Sequence, residues 1–165
     1  MSKKISGFLP SECYALVIGI NYIKTPEIGL NGCCADAYNT KEMLLNRFGF
    51  LNENIIILTD DNISVTKESN TSNIEDSLNQ LVDKTNKNAK FILVFYSGHG
   101  TQKLNEIGND FEIDGMDECW VFTDYKSKGF FTDDKLKTQL IGRAQRFGRT
   151  CTLNIWELLY TNEIH

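Results

Sequence analysis

Residues 91–96 read Phe-Ile-Leu-Val-Phe-Tyr, an apolar and aromatic run with no polar interruption. An unbroken run this short, closed by small residues, predicts a strand buried on both faces, the kind found inside a parallel sheet covered by helices. The run stops at Ser97-Gly98-His99-Gly100-Thr101-Gln102. Open α/β sheets bind ligands beyond the carboxyl ends of their strands. A histidine between two glycines there is a candidate reactive group, and the glycines permit close approaches that a Cβ would block. Taken alone, Ser-Gly-His-Gly reads better as a plain turn; the rest of the chain changes that balance.

Residues 1–11 are a polar arm. Residues 13–20 predict a first buried strand, followed by a loop over 21–29. A helix then follows Leu30-Asn31-Gly32-Cys33-Cys34-Ala35-Asp36, with Ala37, Leu44 and Phe48 on one face and Gly49 to end it. Residues 54–59 predict a second strand and 62–71 a polar surface loop. Ser72 and Glu75 have capping-box spacing, opening a helix whose stripe is Ile74, Leu78, Leu81 and Val82. The third strand ends at Tyr96, before the glycine-flanked histidine. A polar loop carrying Glu112, Asp114, Asp117 and Glu118 leads to a short β segment over 119–122. Thr132-Asp133-Asp134 starts another helix, with Leu136, Leu140, Ala144 and Phe147 on its buried face. A fourth strand begins at 150–155. Strands alternating with helices predict a mainly parallel sheet with helices on both faces.

Net charge is −5 with pI about 5.1, which argues against sequence-independent binding to nucleic acid or anionic membrane. No apolar h-region follows Lys3 and Lys4, and no apolar run approaches the ~20 residues that span a bilayer; the expected location is cytoplasmic. The cysteines are Cys13, Cys33, Cys34, Cys119 and Cys151, an odd set with no CxxC pair, which supports neither structural disulfides nor a zinc site. Cys13 and Cys151 read as inert small hydrophobes in strands.

Six segments in order carry a family resemblance: ALVIGINY, L-x-G-C-x-x-D-A, RFGF…ILTDD, FYSGHGTQ, D-G-x-D-E and the DD-x-L helix start. Together they resemble the p20-like region of metacaspases, caspase-related cysteine peptidases of the C14 clan, from about Tyr14 to Ile155. The resemblance implies a caspase-like three-layer sandwich with its C-terminal strands missing. It divides the chain into the arm at 1–11, an incomplete p20 domain at 12–155 and a divergent tail at 156–165. His99 aligns with the family's catalytic histidine, which serves a cysteine thiolate and protonates the leaving amine. Gly100 aligns with a backbone donor to the oxyanion. Asp36 aligns with an S1-pocket acid, implying peptide or protein substrates with Arg or Lys at P1; by position alone it is equally a helix-start acid favoured by the macrodipole. Cys33 matches a second cysteine near the active site and Cys34 reads as its chance neighbour; both read first as structural, with a reactive thiol as the alternative because a helix N-terminus lowers a thiol pKa. Asp117, Asp133 and Asp134 match acids that bind activating Ca²⁺, with Asp114 in reserve; hard oxygen ligands suit that ion. Solvated turn acids, with Thr132 or Asp133 as N-cap, are the alternative.

The family's nucleophile lies just after the fourth strand in a D-x-C-H-S-G-like motif. Here the strand runs into Trp156-Glu157-Leu158-Leu159-Tyr160, and the expected cysteine position falls near Tyr160. Cys151 precedes it by about nine residues, roughly 30 Å of extended chain. The expectation is a truncated, frame-shifted or inactive relative. Its fourth strand would be an exposed apolar edge open to self-association or a partner. The primary functional reading is a calcium-assisted cysteine endopeptidase domain cleaving after Arg or Lys. The alternatives are a non-catalytic caspase-like binding module and, last, a phosphate-binding α/β domain at residues 97–101.

Overall fold

The computed structural model describes residues 5, 7–61, 67–85, 88–104, 116–145 and 151–160. β1 (Cys13–Gly19) and the first part of β3 (Phe91–Leu104) are apolar throughout because both faces are covered. They pair in parallel from Cys13 with Phe91 to Gly19 with Ser97. β2 (Ile55–Thr59) pairs in parallel with the outer side of β1, and β6 (Thr152–Tyr160) with the other side of β3. α1 (Cys33–Asn46) packs Ala37 and Leu44 on one face, against Ala15, Val17, Leu93 and Phe95. α2 (Thr71–Thr85) and α4 (Asp133–Gln145) cover the other, with Ile74, Leu78, Leu81, Leu136 and Leu140 against Leu16, Ile18, Ile92 and Val94. The alternating inward residues of β1 and β3 thus serve two separate cores, and the result is the expected three-layer α/β sandwich.

α1 ends where Gly49 takes a φ of 72° and Phe50 N–H closes onto the Leu44 carbonyl at 3.0 Å, the glycine-terminated geometry expected. Thr132 caps α4, accepting Lys135 N–H at 3.3 Å. The proposed capping box is not the start of α2. The helix begins at Thr71, so Ser72 lies inside it; Asn70 accepts Asn73 N–H at 2.9 Å, and Asp124 accepts Thr71 N–H at 3.0 Å. An acceptor from a distant loop is invisible to local spacing.

β3 also departs from expectation. It does not stop at Tyr96 but continues through Gly98-His99-Gly100 to Leu104, leaving the parallel sheet to pair antiparallel with β4 (Met116–Trp120). His99 therefore stands inside a strand, between the two modes of pairing, and not in a turn. β4 continues the small antiparallel sheet to β5 (Phe131–Thr132), with the one-turn α3 (Tyr125–Lys128) between them. β6 runs past Ile155 to Tyr160. Among the described residues its outer edge pairs with no strand.

Candidate active site

The His99 side chain is 1% exposed. Its Nε2 lies 2.7 Å from the Ile28 carbonyl oxygen and its Nδ1 2.9 Å from that of Tyr160. Both oxygens only accept, so a neutral ring satisfies one of them at a time. Ile28 is held by a loop that the chain ties down from several sides. The buried Asp60 carboxylate accepts the N–H groups of Asn21 at 2.8 Å and Ile23 at 3.2 Å. The Asn21 carbonyl accepts Leu30 N–H at 2.8 Å. The Asn21 side-chain oxygen accepts Cys33 N–H at 2.9 Å and Cys34 N–H at 3.3 Å, capping α1 from outside its own sequence. One loop thus orients the imidazole and fixes the start of α1.

That start brings Asp36 and Cys33 to the same end of the sheet. α1 approaches β1 at Gly19, where a Cβ would stand 2.3 Å from the Cys33 carbonyl oxygen. Ser97 Oγ donates to Asp36 Oδ2 at 2.9 Å, and the carboxylate remains partly open to solvent. The Tyr160 hydroxyl reaches toward this pocket, 4.0 Å from where a Cβ on Gly32 would lie. His99, Asp36, Cys33 and Ser97 therefore converge at the carboxyl ends of β1 and β6, where β3 leaves the parallel sheet.

The lowered thiol pKa expected at the helix start is corrected. Burial pushes Cys33 up, partly offset by the Ser97 hydroxyl. It pushes Cys34 up to about 12, with Asp60 and Asp61 adding in the same direction. Desolvation and neighbouring carboxylates outweigh the helix terminus, so both are buried, neutral thiols.

Gly100 pairs with Trp120 in the β3–β4 ladder. Val121 N–H donates to the His99 carbonyl at 3.2 Å, which makes residues 99 and 121 the hydrogen-bonded pair. By alternation, Gly100 N–H points away from β4, toward the β6 side. The acidic candidates lie elsewhere. Asp117 is buried in β4, and Asp133 opens α4, its Oδ2 taking Lys137 Nζ at 2.8 Å. Asp134 follows in the first turn. Asp133 Oδ1 is buried without a hydrogen-bond partner. Even so, among the described residues no three His, Cys, Asp or Glu side chains gather closely enough to hold a metal ion, and Asp114 lies outside them.

Several site residues escaped sequence reading. Ile28 acts through its carbonyl and leaves no side-chain signal. Asn21 and Asp60 follow strands β1 and β2, where polar residues read simply as loop. Tyr22 read as loop and Tyr96 as core, yet their hydroxyls contact the His99 backbone. A polar-tipped residue at the exit of an apolar strand was the available signal.

Residues 14–155 match the family model of the metacaspase peptidase C14 domain. Metacaspase-1 of Saccharomyces cerevisiae is 34% identical over 139 residues, which cover 84% of this chain and 31% of the relative. Metacaspase-7 of Arabidopsis thaliana is 41% identical over 110 residues, covering 67% and 26%. The chain thus spans between a quarter and a third of the length of such relatives. Among solved structures, protein GSU0716 from Geobacter sulfurreducens superimposes with a TM-score of 0.56 at 24% identity, over 88% of this chain and 48% of that one, a likeness of fold alone. With the matched residues forming the three-layer sheet and its histidine, the chain belongs to the metacaspase peptidase C14 family.

Proposed function

We propose that this chain carries the histidine-bearing part of a cysteine endopeptidase that cleaves peptide bonds after Arg or Lys. One observation carries the reading: the buried His99 imidazole is oriented by the Ile28 carbonyl while its other nitrogen is aimed at the end of β6, beside the Asp36–Ser97 pair. In such chemistry a thiolate attacks the scissile carbonyl, His99 protonates the departing amine, and backbone N–H groups such as that of Gly100 stabilise the oxyanion. Asp36 would receive the guanidinium or ammonium of the P1 side chain. The nucleophile must stand within hydrogen-bond reach of Nδ1, a place held here by the Tyr160 carbonyl. Hydrolysis of a fluorogenic peptide with Arg at P1, beside a His99→Ala control, tests this. Cleavage abolished in the control and by Asp36→Asn supports it; no cleavage by a folded sample rejects it for this chain.

Calcium is proposed as the assisting cation, on the oxygen chemistry of Asp117, Asp133 and Asp134 and the unpartnered Asp133 Oδ1. Titration calorimetry with Ca²⁺ should register binding that Asp133→Asn removes; no heat of binding would reject it.

The second reading is a non-catalytic module that associates with a second copy through β6. Trp156, Leu158 and Tyr160 are each more than 40% exposed and share one face. The strand has a single charge, Glu157, and neither Pro nor Lys to blunt its edge. Antiparallel pairing centred on Trp156 would set each Glu157 opposite Ile155 and avoid like charges in apposition. Light scattering should find a dimer that Trp156→Lys dissociates; a monodisperse monomer at tens of micromolar rejects this reading.

A further inference from the structure

Tyr22 follows the end of β1 and Tyr96 lies within β3, and their hydroxyls meet beneath His99, 3.3 Å apart. Tyr22 is 1% exposed and Tyr96 is fully buried. His99 N–H donates to the Tyr22 oxygen at 2.8 Å, and the Tyr22 hydroxyl donates to the Val121 carbonyl at 2.7 Å. On the other side, Val121 N–H reaches the Tyr96 oxygen at 3.2 Å, and the Tyr96 hydroxyl donates to the His99 carbonyl at 2.8 Å. The Tyr96 hydroxyl also lies 3.2 Å from the Val121 carbonyl, so the two hydroxyls together bridge residues 99 and 121.

Those two residues are the pair that would come next in the β3–β4 ladder after Gly100 and Trp120. In an ordinary ladder they would exchange two direct bonds. Here only Val121 N–H to the His99 carbonyl survives directly, at 3.2 Å. The phenol hydroxyls are inserted into the ladder at the point where β3 changes partners. Further features show that the chain is built around the insertion. Tyr22 adopts φ of 58°, a left-handed conformation that costs energy for a bulky residue. Gly98 leaves the space for the hydroxyls, since a Cβ there would lie 2.7 Å from that of Tyr96 and 3.0 Å from that of Tyr22. The Tyr22 ring also lies against the imidazole, with centroids 4.7 Å apart. The Tyr96 ring is locked by stacking on Trp120 at 4.4 Å.

We infer that Tyr22 and Tyr96 are positioning residues for His99, their hydroxyls setting the backbone height and tilt from which the imidazole reaches the Ile28 carbonyl and the end of β6. The inference rests on the reading of His99 as the reactive histidine, but its test does not depend on turnover. It also explains why the site tolerates glycine on both sides of a residue that must be held still: the rigidity comes from the tyrosines.

The experiment is NMR of the full chain, uniformly ¹⁵N-labelled, with the His99 imidazole assigned by comparison with His165→Gln. In the unsubstituted chain, two slowly exchanging hydroxyl protons should show cross-relaxation to the His99 and Val121 amides. Their absence in a folded sample overturns the inference without any variant. In Tyr22→Phe and Tyr96→Phe, which keep the rings, the His99 imidazole nitrogens should shift. The His99 amide should exchange about tenfold faster, the loss of one hydrogen bond of ordinary net strength. Amides of Leu16 and Val94 should stay within about twofold. Equal acceleration everywhere, or an unmoved imidazole, would show a merely structural role. Should either Phe variant fail to fold, Gly98→Ala presses on both hydroxyls and should give the same imidazole shift. Peptide hydrolysis run beside it separates the two readings: the NMR signature without cleavage keeps the tyrosine role and rejects catalysis, and cleavage with unmoved His99 signals does the reverse.

Discussion

Replacing Gly19 with alanine tests the contact on which the site's assembly depends. The new Cβ would stand 2.3 Å from the Cys33 carbonyl oxygen and 2.8 Å from Ala37 Cβ, where ordinary contact begins at 3.4 Å. Neither obstacle is the end of a flexible side chain. Both belong to the first turns of α1, so relief requires the helix to lift from β1 by about 1 Å, enough to forfeit a quarter to a half of the dispersion energy across the gap. Overpacking of this kind costs about 1–3 kcal/mol, and a backbone obstacle places Gly19→Ala near the upper end. Reduced freedom of the unfolded chain returns up to about 1 kcal/mol, leaving a net loss of about 2 kcal/mol. For a chain of this size that lowers Tm by roughly 4–8 °C. The comparison is Gly100→Ala, whose Cβ meets the movable Leu159 side chain at 3.1–3.3 Å and should cost less. Urea denaturation followed by far-UV circular dichroism measures both. Because α1 carries Asp36, the lift should also loosen its 2.9 Å bond to Ser97. A Gly19→Ala chain within about 0.5 kcal/mol of the original, or less affected than Gly100→Ala, would refute the reasoning.

Asn21→Ala should cost about 0.5–2 kcal/mol by uncapping Cys33 and Cys34 N–H, while Asn21→Asp retains the acceptor; equal midpoints for all three chains would dismiss the cap. Cys13 and Cys34 have pKa values raised to about 11 and about 12, so each stays protonated in the fold at pH where the unfolded thiol ionises. Their contribution is complete below the unfolded value near 9.0 and is lost as pH rises toward the folded values; each should subtract up to about 1.4 kcal/mol per pH unit above 9. Stability that is flat from pH 8 to 10.5 would contradict this, and Cys34→Ala should reduce the slope. Under native conditions at pH 7, Cys33 and Cys34 should resist alkylation until the chain unfolds; rapid labelling of either would show that their burial is overstated.

The layered α/β architecture was legible because its cause is local. An apolar run such as Phe91–Tyr96 has no polar side chain to offer water, so it must be covered on both faces. The stripe Ile74, Leu78, Leu81 and Val82 can bury itself only against such a sheet. His99 was legible as a candidate from its glycine flanks at the end of an apolar run, whereas Asp36 became one only through the family resemblance, its helix-start position alone fitting a macrodipole acid equally well. What held them in place was not legible. The passage of β3 through His99 into an antiparallel pair with β4 depends on residues 99 and 121 meeting despite their separation along the chain, which no local pattern encodes. The α2 start was misread because Asp124, far along the chain, supplies an acceptor. The lowered pKa that a helix start suggests for Cys33 and Cys34 fails because helix position is read from sequence, whereas desolvation is a property of the packed interior. Sequence by itself determined which residues had to be inside and which chemistry was on offer. Only the tertiary structure decided which backbone carbonyl orients the imidazole and how the Tyr22 hydroxyl comes to hold its strand, because hydrogen bonds act over about 3 Å and these partners lie some seventy to a hundred residues apart.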